Sequence, residues 1–330
     1  MAGKRKRGPG WQPHDTMVKN ALSDPALLGS FLERFVPPPV APLLAGSTIR
    51  FCDSEAEGIR RTRRHFDLVV EVVGNDGSFR VQILVEHKSW RDPGSLFQIL
   101  EYKVALWSRQ RRQGRALTPV LPILFYHGET PWGLSGSFQG VYGFSEEFRS
   151  VCVDFSPVIV DTASEDESAL LDGVASLKTA LFLVAMKYAR DRERMERAIR
   201  KVLEERFRGE VLDPDSVFLV DMLNFYASVF EVDDRSELEQ VFGSLFGKEA
   251  AMTAVEKIRQ EGIETGRMEG RQEGRIEGRQ EGRMEGSVET REVFVKKLLA
   301  KGTMSPEEIS RTLDLDLMWV RELARGLRKL

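Results

Sequence analysis

The sequence predicts an α/β fold, a mixed central sheet flanked by helices, with a helical C-terminal half. Three observations carry that expectation. Residues 65–73 and 78–88 alternate apolar and polar side chains with the period of two that marks a half-buried strand. Pro119 to Tyr126 is a continuous apolar run suited to a strand in the sheet interior. From Ala169 to about Phe246 apolar residues recur at helix spacing, as at Leu181, Val184, Ala185 and Tyr188.

Taken in order, the elements each have a local reason. Residues 1–12 form a basic tail. Asp15 stands where an N-cap would, with a helix running on through Lys19 and Leu22. A second helix closes through Phe31, Leu32 and Phe35 before Pro37-Pro38-Pro39 breaks it. Ile49 to Cys52 reads as a short strand. A hairpin follows, with Leu68, Val70 and Val72 on one face and Phe79, Val81, Ile83 and Val85 matching them across a Gly74-Asn75-Asp76-Gly77 loop. If that loop closes symmetrically, positions 68, 70 and 72 lie opposite 83, 81 and 79. A helix from about Gly94 to Gln113 precedes the apolar strand, and Val158 to Val160 is expected as another.

The polar face of the hairpin is the candidate site. In the symmetric register Asp67 faces Leu84 and lies diagonal to Glu86, about 7–8 Å away. Two carboxylates from neighbouring strands are a common way to hold Mg²⁺ or another divalent cation beside a phosphate. Lys88 points the same way as Glu86, so its ammonium can position an attacking water and offset charge on the phosphate. Gln98 and Tyr102 lie four apart on the following helix and can face the same point. Asp15 has two readings, a helix cap or a third acidic group at the metal site. Against the hydrolytic reading stands a plainer one, a solvated ladder carrying an exposed ion pair.

The surrounding words resemble a known family. Pro13-His14-Asp15, the Asp67 strand, Val85-Glu86-His87-Lys88-Ser89 with Asp92, Tyr102, and Pro122 to Gly128 with Trp132 resemble the recombination-promoting nuclease, or YhgA-like transposase, family. The order helix, strand, Asp-bearing strand, Glu-X-Lys strand, helix, strand resembles the PD-(D/E)XK nuclease core. The resemblance spans roughly residues 13–230, and the glycine-rich repeat and tail behind it are similar too. It implies a metal-dependent DNA endonuclease linked to recombination or DNA mobility in a bacterial setting. Members often carry Gln where this chain has Lys88, so the lysine restores the nuclease pattern. The methionine and arginine usual in the next helix are replaced around Leu96 to Leu100. The alternative from another class is a catalytically inactive oligomeric module that binds DNA or protein.

Composition bounds these readings. At 330 residues with 42% hydrophobic content the chain can bury a full core, expected as one domain over 13–250 with a helical subdomain at about 165–250. The net charge of −3 does not attract nucleic acid by itself, so any DNA surface must be local. Lys4-Arg5-Lys6-Arg7 and the group Arg109, Arg111, Arg112 and Arg115 are the candidates, the latter also readable as decoration of a helix terminus. Two cysteines, Cys52 and Cys152, make no disulfide framework and fit a reducing cytoplasm. The start lacks an apolar stretch behind its charges, and the Thr179–Met186 run is too short to span a bilayer.

From Glu261 to Gly286 a four-residue repeat, Glu-Gly-Arg-X, places Gly at 262, 266, 270, 274, 278, 282 and 286. In a helix each glycine costs roughly 1 kcal/mol against alanine, which argues against an isolated helix. Residues 255–289 are therefore expected either as a flexible linker or as a helix that docks on a second copy, making a homo-oligomer. Residues 290–330 read as a small helical tail resembling a helix-turn-helix, with Ser305-Pro306-Glu307-Glu308 as a capped start.

Overall fold

The computed structural model of the chain describes residues 13–44, 47–52, 55–57, 63–65, 68–74 and 80–327. The expected basic tail at 1–12, Asp67 and the Asn75–Gly77 turn lie outside the described residues. In chain order the elements are α1 (Pro13–Ser23), α2 (Pro25–Phe35), α3 (Ala41–Leu44), β1 (Thr48–Phe51), β2 (Glu55–Glu57), β3 (Arg63–His65), β4 (Leu68–Val73) and β5 (Arg80–Lys88). There follow α4 (Ser95–Arg112), β6 (Val120–Tyr126), α5 (Phe138–Tyr142), β7 (Val158–Asp161), α6 (Glu167–Leu171), α7 (Leu177–Lys187), α8 (Arg192–Lys201), α9 (Val217–Val229) and α10 (Arg235–Phe246). The chain ends with α11 (Lys248–Lys301), α12 (Pro306–Leu313) and α13 (Leu317–Leu327). It divides into two compact units, residues 1–258 and 259–330.

The first unit is built on a mixed five-stranded sheet, order β1-β4-β5-β6-β7, antiparallel through β5 and parallel from β5 to β7. β6 is interior, between β5 and β7, and apolar, as the unbroken run from Val120 demands. The hairpin register differs from the symmetric expectation. Leu68 pairs with Val85, Val70 with Ile83 and Val72 with Val81, two residues along from the predicted partners. A shift of two keeps every side chain on its own face, so the apolar pattern is equally satisfied by both registers and could not choose between them. Among the described residues the last pair of this ladder is Val73 with Arg80. Of the strand expected from His65, β3 pairs with β2 in a two-stranded ladder and β4 pairs in the main sheet, with residues 66 and 67 outside the described residues.

Helices cover both faces of the sheet. On one, α1, α2, α7 and α9 bury Met17, Leu28, Phe31, Leu181 and Phe182 against Val70, Ile83, Val85, Ile123 and Phe125. α7 is apolar around nearly its whole circumference because it is enclosed on all sides, with residues 179–186 all buried. On the other face, α4 and α5 set Leu96, Ile99, Tyr102 and Phe138 on Val69, Leu84, Leu124 and Tyr126. This second layer overturns the solvated-ladder reading. Glu71, Gln82 and Glu86 are buried along with their apolar neighbours, so the polar side of the hairpin faces a helix. No helix of the described residues is long and apolar enough to cross a membrane.

In the second unit, the repeat continues within the helix α11. Cβ atoms added at Gly266, Gly270, Gly274 or Gly278 would meet nothing within 4 Å. Val295, Ile309 and Val320 form a small core with Leu298, Leu313 and Leu323 around it, and Ser305 with Glu308 completes the expected capping box at α12.

Candidate active site

The site forms at the C-terminal end of β5. Leu68 of β4 lies opposite Val85, and the next residues of β5, Glu86, His87 and Lys88, run alongside Leu124, Phe125 and Tyr126 of β6. Alternation then sends Glu86 and Lys88 to the α4 face and His87 to the α1 face. Glu86 is 2% exposed. The Lys88 ammonium stands 3.0 Å from Glu86 Oε1 and donates at 3.0 Å to Gln98 Oε1, with Asp92 Oδ2 at 3.8 Å. Gln98 donates in turn to the hydroxyl of Tyr102, one helical turn on. Tyr102 is itself locked in the core beneath α4. The lysine is thus aimed by a chain running from a buried tyrosine, and its charge is shared with two carboxylates.

A second chain lies on the opposite face. Asp15 Oδ1 is 3.1 Å from His87 Nδ1, and His87 Nε2 is 2.6 Å from His127 Nε2. The two rings lie 9° from coplanar with centroids 4.7 Å apart, the geometry of an in-plane N–H···N bond. His14 stacks on His127 at 4.8 Å. Arg190 donates to the carbonyls of His127 and Ser89, tying the ends of β5 and β6 together. Burial first, then the neighbouring Arg190 and His87 charges, lowers the His14 pKa to about 4 despite Asp15. Burial likewise holds His127 well below its ordinary value. The hydrogen bond from His87 keeps Asp15 below the usual carboxylate range.

Apart from Asp67, which lies outside the described residues, each predicted residue can now be placed. Glu86, Lys88 and Gln98 are brought together. Asp15 is in the first turn of α1, inside the helix at its third residue and hence not the N-cap, and its carboxylate meets His87 on the far side of the sheet from Glu86. It is not a third acid beside them. Arg109, Arg111 and Arg112 end α4, about 16 Å of helix beyond Gln98. Arg115 is bound at 2.8 Å to Glu71, which also takes Arg80 at 3.1 Å, toward the opposite end of β5. The arginine group therefore does not adjoin Lys88, although the chain reaches it directly from the site helix. Sequence reasoning missed the role of Asp92 beside the ammonium and treated His127 as turn chemistry. The signal for the second chain was present: three of the four histidines, at 14, 87 and 127, each sit in a motif carrying the family resemblance. A cavity of about 450 Å³ between α1, α7 and α9, lined by Asn20, Asp24, Lys178 and Asp221, contains none of the site residues.

Sheet, flanking helices and a Glu-X-Lys strand end define an α/β protein of nuclease-like fold. A family model described as putative transposase, YhgA-like, matches residues 12–211, and the chain belongs to that family. Among curated proteins it is similar to the inactive recombination-promoting nuclease-like protein RpnE of Escherichia coli K12, 26% identical over 77% of this chain and 84% of the relative. The recombination-promoting nuclease RpnA of the same strain is 24% identical over 76% of this chain and 84% of its own length. The nuclease RpnD of Escherichia coli O157:H7 is 27% identical over 37% of this chain and 49% of its own. No solved structure matches the chain.

Proposed function

We propose that the protein is a divalent-metal-dependent DNA endonuclease acting in recombination or DNA mobility, with Asp67 and Glu86 as the carboxylates that hold Mg²⁺ and Lys88 as the residue that positions the attacking water. The single observation that supports this most is the half-buried Lys88, 3.0 Å from the buried Glu86 and held by Gln98. Lysine is costly to order and bury for stability alone.

The donor set fits a hard cation in charge and chemistry. Among the described residues no group of three or more His, Cys, Asp or Glu side chains could hold a metal ion, so the reading requires Asp67. Asp67 is the chain neighbour of Leu68, whose partner Val85 is the chain neighbour of Glu86. Glu86, Asp92 and Lys88 already carry one surplus negative charge, and Asp67 adds a second, which favours a divalent cation. That ion would supply charge neutralisation to a scissile phosphate. Lys88 would hold the water in line, Gln98 would keep the ammonium directed, and Tyr102 would keep Gln98 from rotating away. Naming of two relatives as recombination-promoting nucleases supports the activity. The naming of another as inactive supports the alternative, an oligomeric binding module in which this site is vestigial.

Plasmid nicking by the purified chain, with Mg²⁺ and with EDTA, tests the proposal. Nicking that needs the metal and is lost in Asp67→Ala and Lys88→Ala is expected. Absence of nicking, or unchanged nicking by both variants, would leave the inactive reading.

A further inference from the structure

Large aromatic side chains stand in water beside the Lys88 site. Trp90, two residues past Lys88, is 58% exposed, and Phe97, the chain neighbour of Gln98, is 51% exposed. Tyr142 is also exposed, and its hydroxyl donates at 3.1 Å to the carbonyl of Pro93, so α5 holds it against the same β5–α4 connection. Tyr142 is backed by Phe138 at 4.8 Å, which packs in the core under α4. Three aromatics thus border the one short segment 89–98 that also carries Asp92 and Gln98. The segment carries one charge of each sign, Arg91 and the partly exposed Asp92. Arg91 is exposed and anchored to the carbonyl of Pro131 at 2.6 Å. Gly94 begins α4, and its N–H donates at 2.8 Å to Asp92 Oδ1, so that carboxylate lies at the helix start.

Burying an aliphatic partner would explain exposed apolar groups, but not their aromatic character next to a fixed arginine. Flat π-faces beside positive charge match unpaired nucleobases on a phosphate backbone. A duplex offers its bases only as groove edges, which rings of this kind do not read. We infer that Trp90 and Phe97, with Tyr142 behind them, form a stacking platform for unpaired bases, so that the substrate is single-stranded DNA or a duplex opened at the cleavage point. This rests on the nuclease reading for its placement at the site, but binding can be measured without cleavage.

The test uses fluorescence anisotropy of a labelled single strand and of the matching duplex, with the full chain in EDTA. Wild type is expected to bind the single strand more tightly. Trp90→Ala and Phe97→Ala should each weaken that binding roughly ten-fold, with the duplex little affected and the melting temperature unchanged. Conservative Trp90→Phe and Phe97→Tyr should restore most of it. Equal binding of both DNA forms, or unchanged single-strand binding by both alanine variants, overturns the platform. So does loss of self-association in the variants without loss of DNA binding, which would make the face a protein contact. If binding behaves as expected while no nicking occurs, the platform stands and the enzyme reading alone fails. If nicking occurs and the alanine variants bind and cut as wild type does, the platform alone fails.

Discussion

Removing the ammonium from the site while keeping its stem, Lys88→Met, should expose how much the buried pair contributes. Glu86 and Lys88 side chains are 3% and 12% exposed, so the carboxylate loses its 3.0 Å partner where water cannot readily replace it. Breaking a buried pair from one side costs about 3–5 kcal/mol, and we expect about 3 because Lys88 still reaches solvent. Gln98 loses its donor as well but is only half-buried and can turn to water. Glu86→Gln should cost less, since the amide remains able to accept from Lys88. The double variant should recover part of the loss, giving a coupling of about 1–2 kcal/mol in a double-mutant cycle. Urea unfolding followed by tryptophan fluorescence, reporting from Trp107 and the buried Trp132, measures all four proteins. Single variants within about 0.5 kcal/mol of wild type, with no coupling, would refute a buried pair and return the hairpin face to solvent.

Further outcomes follow from the same geometry. Because His14 refuses a proton until about pH 4 when folded yet accepts one at 6.5 when unfolded, stability is fully present above pH 6.5 and falls as pH drops through that window. The loss is about 2 kcal/mol after discounting for partial exposure; His14→Leu should flatten the urea midpoint against pH, with His127 sustaining the remaining slope. A Cβ at Gly128 would fall 1.9 Å from the Tyr126 hydroxyl, which is held by the Thr130 carbonyl, so Gly128→Ala should lower stability by about 1–3 kcal/mol in the same assay. Replacing Gly266, Gly270, Gly274 and Gly278 together by Ala should raise the helical signal and thermal midpoint of the second unit in circular dichroism, at roughly 1 kcal/mol each. If the glycine face docks on a second copy instead, the same change will reduce sedimentation mass.

The fold was legible where periodicity and burial agree. β6 could be read from its unbroken apolar run, α4 from its length between Gly94 and Gln113, and α12 from the Ser305 box. The hairpin register was not, because side-chain alternation is blind to a two-residue slip and the loop length alone decides it. For the same reason the polar residues at 71, 82 and 86 could not be recognised as buried: sequence shows a polar face, and only the helix laid over it shows that the face is dry. Glu86, Lys88 and Gln98 were recoverable because strand and helix spacing are local rules. Asp15 was not, since its partner His87 is 72 positions away and on the other side of the sheet. Arg109 to Arg115 follow the site helix in sequence, but a helix of 18 residues carries its two ends far apart.

In the proposed enzyme Asp67 and Glu86 would share one divalent ion with Lys88 at its side. Anomalous scattering from crystals soaked in Mn²⁺ locates such an ion directly. One peak is expected between the two carboxylates at the Lys88 end of β5, absent from Asp67→Ala crystals. A peak elsewhere, or none with both carboxylates ordered and apart, would contradict it.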